Sequence, residues 1–391
     1  MLLDMQDSVN SAVAILDRLM AFRSLPGQPN LDLIAYIRDY LAAAGIESFL
    51  SLDDTGSRAN LHAWIGPAVN GGVVLNGHTD VVPVDGQAWT SDPFQLTRRD
   101  GRLYGRGSVD MKGFLACMLA AVPSFQAHAL ARPVHLTFCY DEEIGGLGAP
   151  HLVAQMAGQG PRPAVAIVGE PTNFRIVSGH KGGFEMHTEI IGLAGHASDP
   201  RKGVNAIVSA GRFVAKLESI AAQLAAEARD NSVFDPPYST ISVGTIQGGT
   251  ARNVIAGHCI IDWELRPIPG EDGRAILSEI DRFAREELLP EMRATAPQAS
   301  ILTTEDAEVP GLDPAEAAAA VALISEITGI NTSECVSFGT DAGHFCRAGI
   351  STAVFGPGSI ERAHRPDEFI EERELAACLG FLDALAAWLA R

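Results

Sequence analysis

Short apolar runs alternate with helical patterns in the first part of the chain, and this alternation constrains the fold more than any other feature. Gly72–Leu75, Val134–Tyr140 and Ala164–Val168 are short and rich in β-branched or apolar residues, which is typical of buried strands. Residues 8–22 and 31–44 carry apolar side chains at helical spacing. Strands that alternate with helices favour an α/β fold, with a mixed, largely parallel sheet sandwiched by helices.

The middle of the chain follows a different pattern. Residues 183–191, 239–247 and 258–266 alternate apolar and polar side chains, as antiparallel strands with one solvated face do. An Ala-rich amphipathic helix is predicted over residues 204–228, and another helix over residues 271–288. This order of strands and helices predicts a small α+β unit.

We therefore expect two domains, one inserted into the other. The α/β pattern returns after Pro297, with a predicted helix over residues 314–328. The simplest organisation is an α/β domain formed by residues 1–181 and 295–391, which an α+β domain at residues 182–294 interrupts.

Composition and charge exclude several classes of protein. The 391 residues include 48 Asp and Glu against 29 Lys and Arg, and a net charge of −19 disfavours nucleic-acid binding. No apolar run is long enough to span a bilayer, and the acidic N-terminal segment does not resemble a secretion signal. The six cysteines are widely separated, which favours reduced thiols. We expect a cytoplasmic protein that binds neither nucleic acid nor membranes.

Polar residues follow the predicted strands. The segments are His78-Thr79-Asp80, Asp110, Asp141-Glu142-Glu143, Gly169-Glu170 and Ala363-His364. In open α/β sheets, ligands bind outside the carboxyl ends of the strands, so these segments are expected to converge there. Each segment alone could be a solvated loop or a core histidine, but five of them in one chain favour a functional site.

Histidine and carboxylate ligands without cysteine suit catalytic zinc, with cobalt or manganese as alternatives. His78 and Asp80 are two residues apart and share a face in an extended segment, so Asp80 could hold one ring nitrogen of His78. Glu142 and Glu143 are adjacent and point in opposite directions. One of them could therefore bind metal while the other remains free to carry a proton.

A charge count favours two ions over one. The carboxylates of Asp110, Glu143 and Glu170 carry three negative charges, and a hydroxide would add a fourth. Two divalent cations balance that total. Without cations, carboxylates this close together would have strongly shifted pKa values.

The motifs resemble the binuclear-zinc metallopeptidases, the family that includes acetylornithine deacetylase, succinyl-diaminopimelate desuccinylase, aminoacylase and glutamate-releasing carboxypeptidase. The resemblance covers nearly the whole chain. Its motifs are Gly77–Pro83, Trp89–Phe94, Gly105–Lys112, Asp141–Glu143, Gly195–Ser198, Gly203–Ala206 and His364–Glu368. It implies a zinc-exopeptidase-like catalytic domain and an inserted domain that serves for dimerisation and as a lid.

The resemblance also implies which residues hold the two ions. His78 and Glu170 would be ligands of one zinc ion, and Glu143 and His364 of the other. Asp110 would bridge both ions.

Further roles are implied at neighbouring positions. Asp80 would orient His78, and Glu142 would be the general base. The peptide bond between Asp110 and Met111 would be the cis non-proline bond of the family.

The inserted domain would contribute to catalysis across a homodimer. His196 matches the histidine that a partner subunit supplies to polarise the scissile carbonyl. Arg252 and Asn253 would contact the substrate carboxylate, which an arginine can hold by two hydrogen bonds. The Gly-rich loop that contains Gly339 and Thr340 could present backbone N–H groups to an anion.

The implied activity is hydrolysis of the acyl group from an N-acyl amino acid. Residues 168–172, 179–183 and 355–361 resemble the acetylornithine deacetylases, which implies N2-acetyl-L-ornithine as the substrate, with a role in arginine biosynthesis. The alternatives on the same metal centre are a desuccinylase, an aminoacylase, a carboxypeptidase or a dipeptidase. A non-catalytic relative that only binds an amino-acid derivative is disfavoured, because all the ligands and the base are present.

Overall fold

The computed structural model describes residues 5–228 and 232–391, which form two compact units. The first unit contains the chain up to Gly179, together with Leu312–Cys335 and Thr340–Arg391. The second unit contains His180–Gly311 and Val336–Gly339. Among the helices of the described residues, none is long and apolar enough to cross a membrane.

Strands and helices alternate in chain order. The strands of the described residues are β1 (Ser48–Leu52), β2 (Ala59–Ile65), β3 (Gly72–His78), β4 (Thr97–Arg99), β5 (Arg102–Tyr104), β6 (Val134–Cys139), β7 (Pro163–Val168), β8 (Ile176–His180), β9 (Gly183–Ile191), β10 (Gly195–His196), β11 (Thr240–Gly248), β12 (Val254–Ile255), β13 (His258–Arg266), β14 (Ser300–Val309), β15 (Ser333–Val336), β16 (Ser351–Val354) and β17 (Phe369–Glu371). The α-helices of the same residues are α1 (Met5–Met20), α2 (Leu31–Ala43), α3 (Lys112–Ala120), α4 (Val122–Ala127), α5 (Ala149–Gly158), α6 (Ala206–Ala226), α7 (Gly273–Phe283), α8 (Leu289–Thr295), α9 (Ala318–Thr328), α10 (Ala342–Arg347) and α11 (Glu372–Leu389).

An eight-stranded sheet forms the core of the first unit. Its strand order is β1-β2-β6-β3-β7-β16-β8-β15. The four central strands, β6, β3, β7 and β16, run parallel, while β1, β2 and β8 pair antiparallel. This mixed sheet with a parallel centre confirms the fold class predicted from the sequence.

Helices cover both faces of this sheet. Strands β3 and β6 are buried at every residue, as strands covered on both sides must be. Leu61, Leu75 and Leu136 lie in one hydrophobic core with residues of α1, α3 and α11, while α5 and α10 contact each other and pack on the strands from outside that core. Each large aliphatic side chain buried in this way contributes about 1.5–3 kcal/mol to the stability of the first unit.

The second unit is a four-stranded antiparallel sheet, with the order β11-β13-β9-β14, that packs against helices. Phe213 of α6 and Ile280 of α7 share a hydrophobic core with Trp263 of β13. The second unit extends beyond residue 294, where we expected the inserted domain to end. The reason is that β14 pairs with β9 along its whole length and completes the sheet.

A small sheet of β4, β5 and β17 joins two distant parts of the chain. β17 pairs with β5 in the register Phe369 to Tyr104, and the backbone N–H of Gly105 donates to the carbonyl of Glu368 at 2.8 Å. The segment before β17 is therefore held beside the segment after β5. These two segments contain His364 and Asp110.

Candidate metal centre

Three of the predicted ligands lie at or just beyond the carboxyl ends of neighbouring strands of the large sheet. His78 is the last residue of β3, Glu143 lies in the loop after β6, and Glu170 lies two residues beyond β7. Because β6, β3 and β7 are adjacent and parallel, their carboxyl ends meet at one edge of the sheet. The sheet thus brings these residues together although they are far apart in the sequence.

The five predicted ligands form two groups of three that share Asp110. The first group is His78, Asp110 and Glu170, and the second is Asp110, Glu143 and His364. In each group, the potential ligand atoms lie within 4.8 Å of one another. This is the arrangement that two neighbouring cations would need.

Asp110 presents a different carboxylate oxygen to each group. Its Oδ1 lies 3.1 Å from Nε2 of His78, and its Oδ2 lies 3.3 Å from Nε2 of His364. Nε2 of His364 also lies 3.1 Å from Oε2 of Glu143, and Nε2 of His78 lies 3.7 Å from Oε1 of Glu170. The geometry matches the bridging role that the resemblance implies for Asp110.

The peptide bond between Asp110 and Met111 is cis. The prediction of a cis non-proline bond at this position is therefore confirmed.

The residues of both groups fit bound cations. Oε1 of Glu143 and Oε1 of Glu170 are buried, and neither has a hydrogen-bond partner among the described residues. A buried carboxylate oxygen that accepts no hydrogen bond is costly unless a cation compensates it. The donor set of imidazole nitrogens and carboxylate oxygens suits zinc, cobalt or manganese.

The electrostatics of the site also call for positive charge. Burial and the nearby charge of Asp110 raise the pKa of Glu170 well above its usual value. Hydrogen bonds to Asp110 and Glu143 raise the pKa of His364 to about 10. Burial alone would lower the pKa of His78, but Glu170 and Asp110 outweigh it and raise that pKa well above its usual value. Divalent cations would satisfy these crowded carboxylates without protons.

The two groups differ in their access to solvent. The side chain of His78 is 1% exposed, whereas that of His364 is 51% exposed. The first group is therefore enclosed, and the second group opens to the outside of the unit.

Asp80 contacts His78 as expected, but it bonds the ring through a different atom from the one expected. We expected its side chain to hold a ring nitrogen of His78, but Nδ1 of His78 lies 2.9 Å from the backbone carbonyl of Asp80 and 3.7 Å from Oδ1. The Asp80 carboxylate instead accepts hydrogen bonds from the backbone N–H groups of Glu142 at 3.2 Å and Glu143 at 3.1 Å. A backbone carbonyl can fix a ligand histidine as well as a carboxylate can. The Asp80 side chain is thereby free to hold the loop that carries the two glutamates.

Glu142 lies outside both ligand groups, whereas its neighbour Glu143 belongs to the second group. Burial raises the pKa of Glu142 well above its usual value. The charge of His78 opposes this shift, while those of Glu170 and Asp341 reinforce it. A carboxyl group with a raised pKa is suited to accept a proton and then release it.

The remaining predicted site residues are divided between the two units. In the second unit, His196 lies on β10, exposed, with its Nδ1 2.7 Å from Oγ of Ser198. Arg252 and Asn253 are exposed in the segment before β12, and the backbone carbonyl of Asn253 accepts from the N–H of Ala197 at 3.0 Å. The structure thus brings these three predicted residues together.

Gly339 and Thr340 fall on either side of the boundary between the units. Thr340 is buried, and its Oγ1 accepts from the backbone N–H of Ala342 at 3.1 Å, at the start of α10. Gly339 packs against Val309, where an added Cβ would lie 2.9 Å from Cγ1. Their predicted contact with substrate remains a prediction.

Sequence reasoning gave no role to Arg106 and Glu368, although both lie within the quoted motifs. Their side chains form a buried ion pair, with Nη1 of Arg106 2.6 Å from Oε2 of Glu368. Two charged residues 262 positions apart carry no sequence signal of their pairing.

Comparisons with known proteins support the same family. The model of Peptidase family M20/M25/M40 matches residues 74–388. The chain is 39% identical to the acetylornithine deacetylase of Myxococcus xanthus over 379 residues, which is 96% of each chain. It is 36% identical to the acetylornithine deacetylase of Proteus mirabilis over 345 residues, which is 88% of this chain and 86% of the relative.

Solved structures share the fold at lower sequence identity. The di-peptidase Dug1p of Saccharomyces cerevisiae superposes with a TM-score of 0.72 at 15% identity, covering 99% of this chain and 98% of the other. A metallo-carboxypeptidase of Sulfolobus solfataricus also has a TM-score of 0.72, at 16% identity, covering 97% of this chain and 99% of the other. With the family match and the ligand geometry, these findings lead to one conclusion: the chain belongs to Peptidase family M20/M25/M40.

Proposed function

We propose that this member of a hydrolase family removes the acetyl group from N2-acetyl-L-ornithine, with water as the second substrate and acetate and L-ornithine as products. The observation that carries the proposal is the sharing of Asp110 between two groups of metal-ligating side chains. The choice of substrate is supported by the two acetylornithine deacetylases that are 39% and 36% identical to the chain.

The proposed cofactor is a pair of divalent cations per chain, with zinc as the preferred ion. His78 and Glu170 would hold one cation, Glu143 and His364 the other, and Asp110 both. Such a pair would lower the pKa of a bound water toward neutrality and would polarise the carbonyl that is attacked. Imidazole and carboxylate ligands support zinc, and they also suit cobalt and manganese.

Glu142 is the proposed general base. Its carboxylate takes a proton from the attacking water as the water oxygen bonds to the acetyl carbon. When the bond between that carbon and the α-nitrogen breaks, Glu142 passes the proton to the leaving amine. Asp80 keeps Glu142 in place through the backbone N–H groups of Glu142 and Glu143.

Residues of the second unit are proposed to bind the substrate. Arg252 suits the α-carboxylate, because a guanidinium group can donate two parallel hydrogen bonds to it, and Asn253 could add another. The imidazole of His196 would donate to the carbonyl oxygen as negative charge develops there. Gly339 of the second unit and Thr340 of the first unit are proposed as further substrate contacts.

We propose that the protein acts as a homodimer through the second unit, and that His196 serves the active site of the partner. Support comes from large apolar side chains that the second unit exposes. Ile207 and Val208 of α6 are 43% and 60% exposed, and Ile246 of β11 is 50% exposed. Large apolar side chains exposed at a surface favour an interface with another subunit.

A substrate panel tests the proposed activity. The purified protein, loaded with zinc or cobalt, is given N2-acetyl-L-ornithine, N-succinyl-L,L-diaminopimelate, other N-acetyl amino acids and simple dipeptides. We expect the highest kcat/KM for N2-acetyl-L-ornithine. A higher kcat/KM for the succinylated substrate or for dipeptides would contradict the proposed substrate but leave the metal centre standing.

A further inference from the structure

We propose that Gln87, Arg106 and Glu368 form a support network that positions Asp110 and His364 and thereby sets the affinity of the second cation. The inference rests on the proposed metal centre. These three are positioning residues, because they act through the ligands and belong to neither ligand group.

One end of the support network holds the backbone at Asp110. Oε1 of Glu368 accepts hydrogen bonds from the N–H groups of Val109 at 2.9 Å and Asp110 at 3.2 Å. The Glu368 side chain is 0% exposed, so these bonds are shielded from bulk solvent. The carboxylate therefore fixes the peptide from which the shared ligand projects.

Arg106 connects Glu368 to Gln87. Its Nη1 donates to Oε2 of Glu368 at 2.6 Å, and its Nη2 donates to Oε1 of Gln87 at 2.6 Å. The guanidinium also lies over the ring of Trp89, 5.1 Å from the centroid, and Nε1 of Trp89 donates to the same Gln87 oxygen at 3.1 Å. The Gln87 amide is thereby held in one orientation.

The other end of the support network holds the backbone at His364. Nε2 of Gln87 donates to the backbone carbonyl of His364 at 3.1 Å. His364 has a φ of 59°, a conformation that residues other than glycine adopt only where their surroundings enforce it. A hydrogen bond from Gln87 is therefore well placed to maintain the ligand's orientation.

The two ligand groups do not depend equally on this support. His78 ends β3 and Glu170 follows β7, so the hydrogen-bond ladder of the large sheet holds both of them. His364 follows only the short 3-10 turn Ile360–Arg362, and its side chain is half exposed. Loss of the support network should therefore weaken binding of the second cation, held by Glu143 and His364, more than binding of the first, held by His78 and Glu170.

The test is a calorimetric titration of the metal-free full-length protein with Zn2+, for wild type, Gln87→Ala and Glu368→Gln. We expect two bound cations in wild type. In both variants the second cation should bind about 10-fold to 100-fold more weakly, the range found when residues that support metal ligands are replaced. In Gln87→Ala the first cation should bind as in wild type.

Glu372→Gln is the matched control. Glu372 lies four residues after Glu368 and forms an ion pair with Arg98, outside the support network. The substitution therefore removes a carboxylate from a different ion pair. We expect wild-type binding of both cations. Circular dichroism melts of all variants show whether the fold is retained.

Each outcome separates the inference from the proposed function. Fewer than two cations in wild type would refute the metal centre itself. Gln87→Ala could instead bind both cations as tightly as wild type, or bind both more weakly by the same factor. Either result would refute the proposed role of the support network and leave the metal centre intact. If Glu368→Gln does not fold, Gln87→Ala decides alone, because Gln87 is only half-buried.

Discussion

At the scale of single residues, the proposed mechanism gives two adjacent glutamates different tasks. Glu143 belongs to the second ligand group, whereas Glu142 belongs to neither and has a raised pKa. Asp80 holds the backbone of both. Replacement of each residue should therefore change a different measurable quantity.

Glu142→Gln removes the proposed proton acceptor but keeps the shape of the side chain. We expect zinc content near that of wild type and a fall in kcat of about two to four decades, the range of general acid–base catalysis. Steady-state kinetics with metal analysis of the same sample measure both quantities. A kcat close to wild type would refute the role of Glu142 as the base.

Asp80→Asn keeps one carbonyl oxygen but loses one of the two acceptors for the N–H groups of Glu142 and Glu143. We expect kcat to fall about 10-fold to 100-fold at saturating zinc, because the base is held less firmly. Zinc affinity should change little, since His78 is bonded to the Asp80 backbone carbonyl. Loss of zinc with a normal kcat in excess metal would show that the Asp80 side chain serves His78 instead.

The contacts of Asp80 could be predicted from the sequence only in part. The positions of His78 and Asp80 predicted that the two would be neighbours, and they are. Whether the side chain or the backbone carbonyl of Asp80 bonds His78 depends on where Glu142 and Glu143 lie. These two residues reach the same edge of the sheet 62 and 63 residues later in the chain. The spacing of His78 and Asp80 carries no information about the position of residues so distant in the sequence.

At the scale of elements, the buried strands were predicted from their apolar residues. β3, β6 and β7 are apolar because both faces of the sheet are covered, so their positions and the site at their carboxyl ends could be predicted. β14 was missed. It is an edge strand that exposes many of its residues, and its polar sequence does not mark it as part of a sheet.

The pairing of β2 with β6 buries an imidazole pair that the sequence did not predict. Nε2 of His62 lies 3.0 Å from Nδ1 of His135, and both side chains are buried. Burial lowers the pKa of His62 to about 4 and that of His135 to about 3, where the charge of His62 adds to the effect. The pair is therefore neutral in the folded protein near pH 7, and one ring donates to the other.

The imidazole pair should make stability depend on pH. Both pKa values are lowered from 6.5, so below pH 6.5 the unfolded chain binds protons that the folded chain does not, and stability falls as pH falls toward 4. For His62 alone, the free energy of unfolding should be about 2 kcal/mol lower at pH 5 than at pH 7. Urea unfolding of wild type and His62→Gln between pH 7 and pH 5 measures it.

We expect the loss of stability between pH 7 and pH 5 to be smaller in His62→Gln than in wild type. His151→Gln on α5, which replaces an exposed histidine, is the control and should follow wild type. Parallel pH profiles for wild type and His62→Gln would contradict the account of the imidazole pair.

At the scale of the whole molecule, the proposed dimer makes a prediction about mixed subunits. His196 lies in the second unit and Glu142 in the first. If His196 acts in the partner's active site, a dimer of one His196→Ala subunit and one Glu142→Gln subunit contains one intact site. We expect it to recover about half of the wild-type kcat per dimer, as measured after co-expression and purification with two different tags.

Two results would count against action across the dimer. Activity of the mixed dimer no higher than that of the parent variants would mean that His196 acts within its own chain. A monomer in light scattering at assay concentrations, with full activity, would remove the dimer from the mechanism.

The central claim is that Asp110 joins two cations at the edge of the large sheet. The most direct measurement is anomalous diffraction at the zinc absorption edge from a crystal grown with excess zinc. We predict two peaks at the Asp110 carboxylate, one beside His78 and Glu170 and the other beside Glu143 and His364. A single peak, or zinc bound only elsewhere on the protein, would contradict the account.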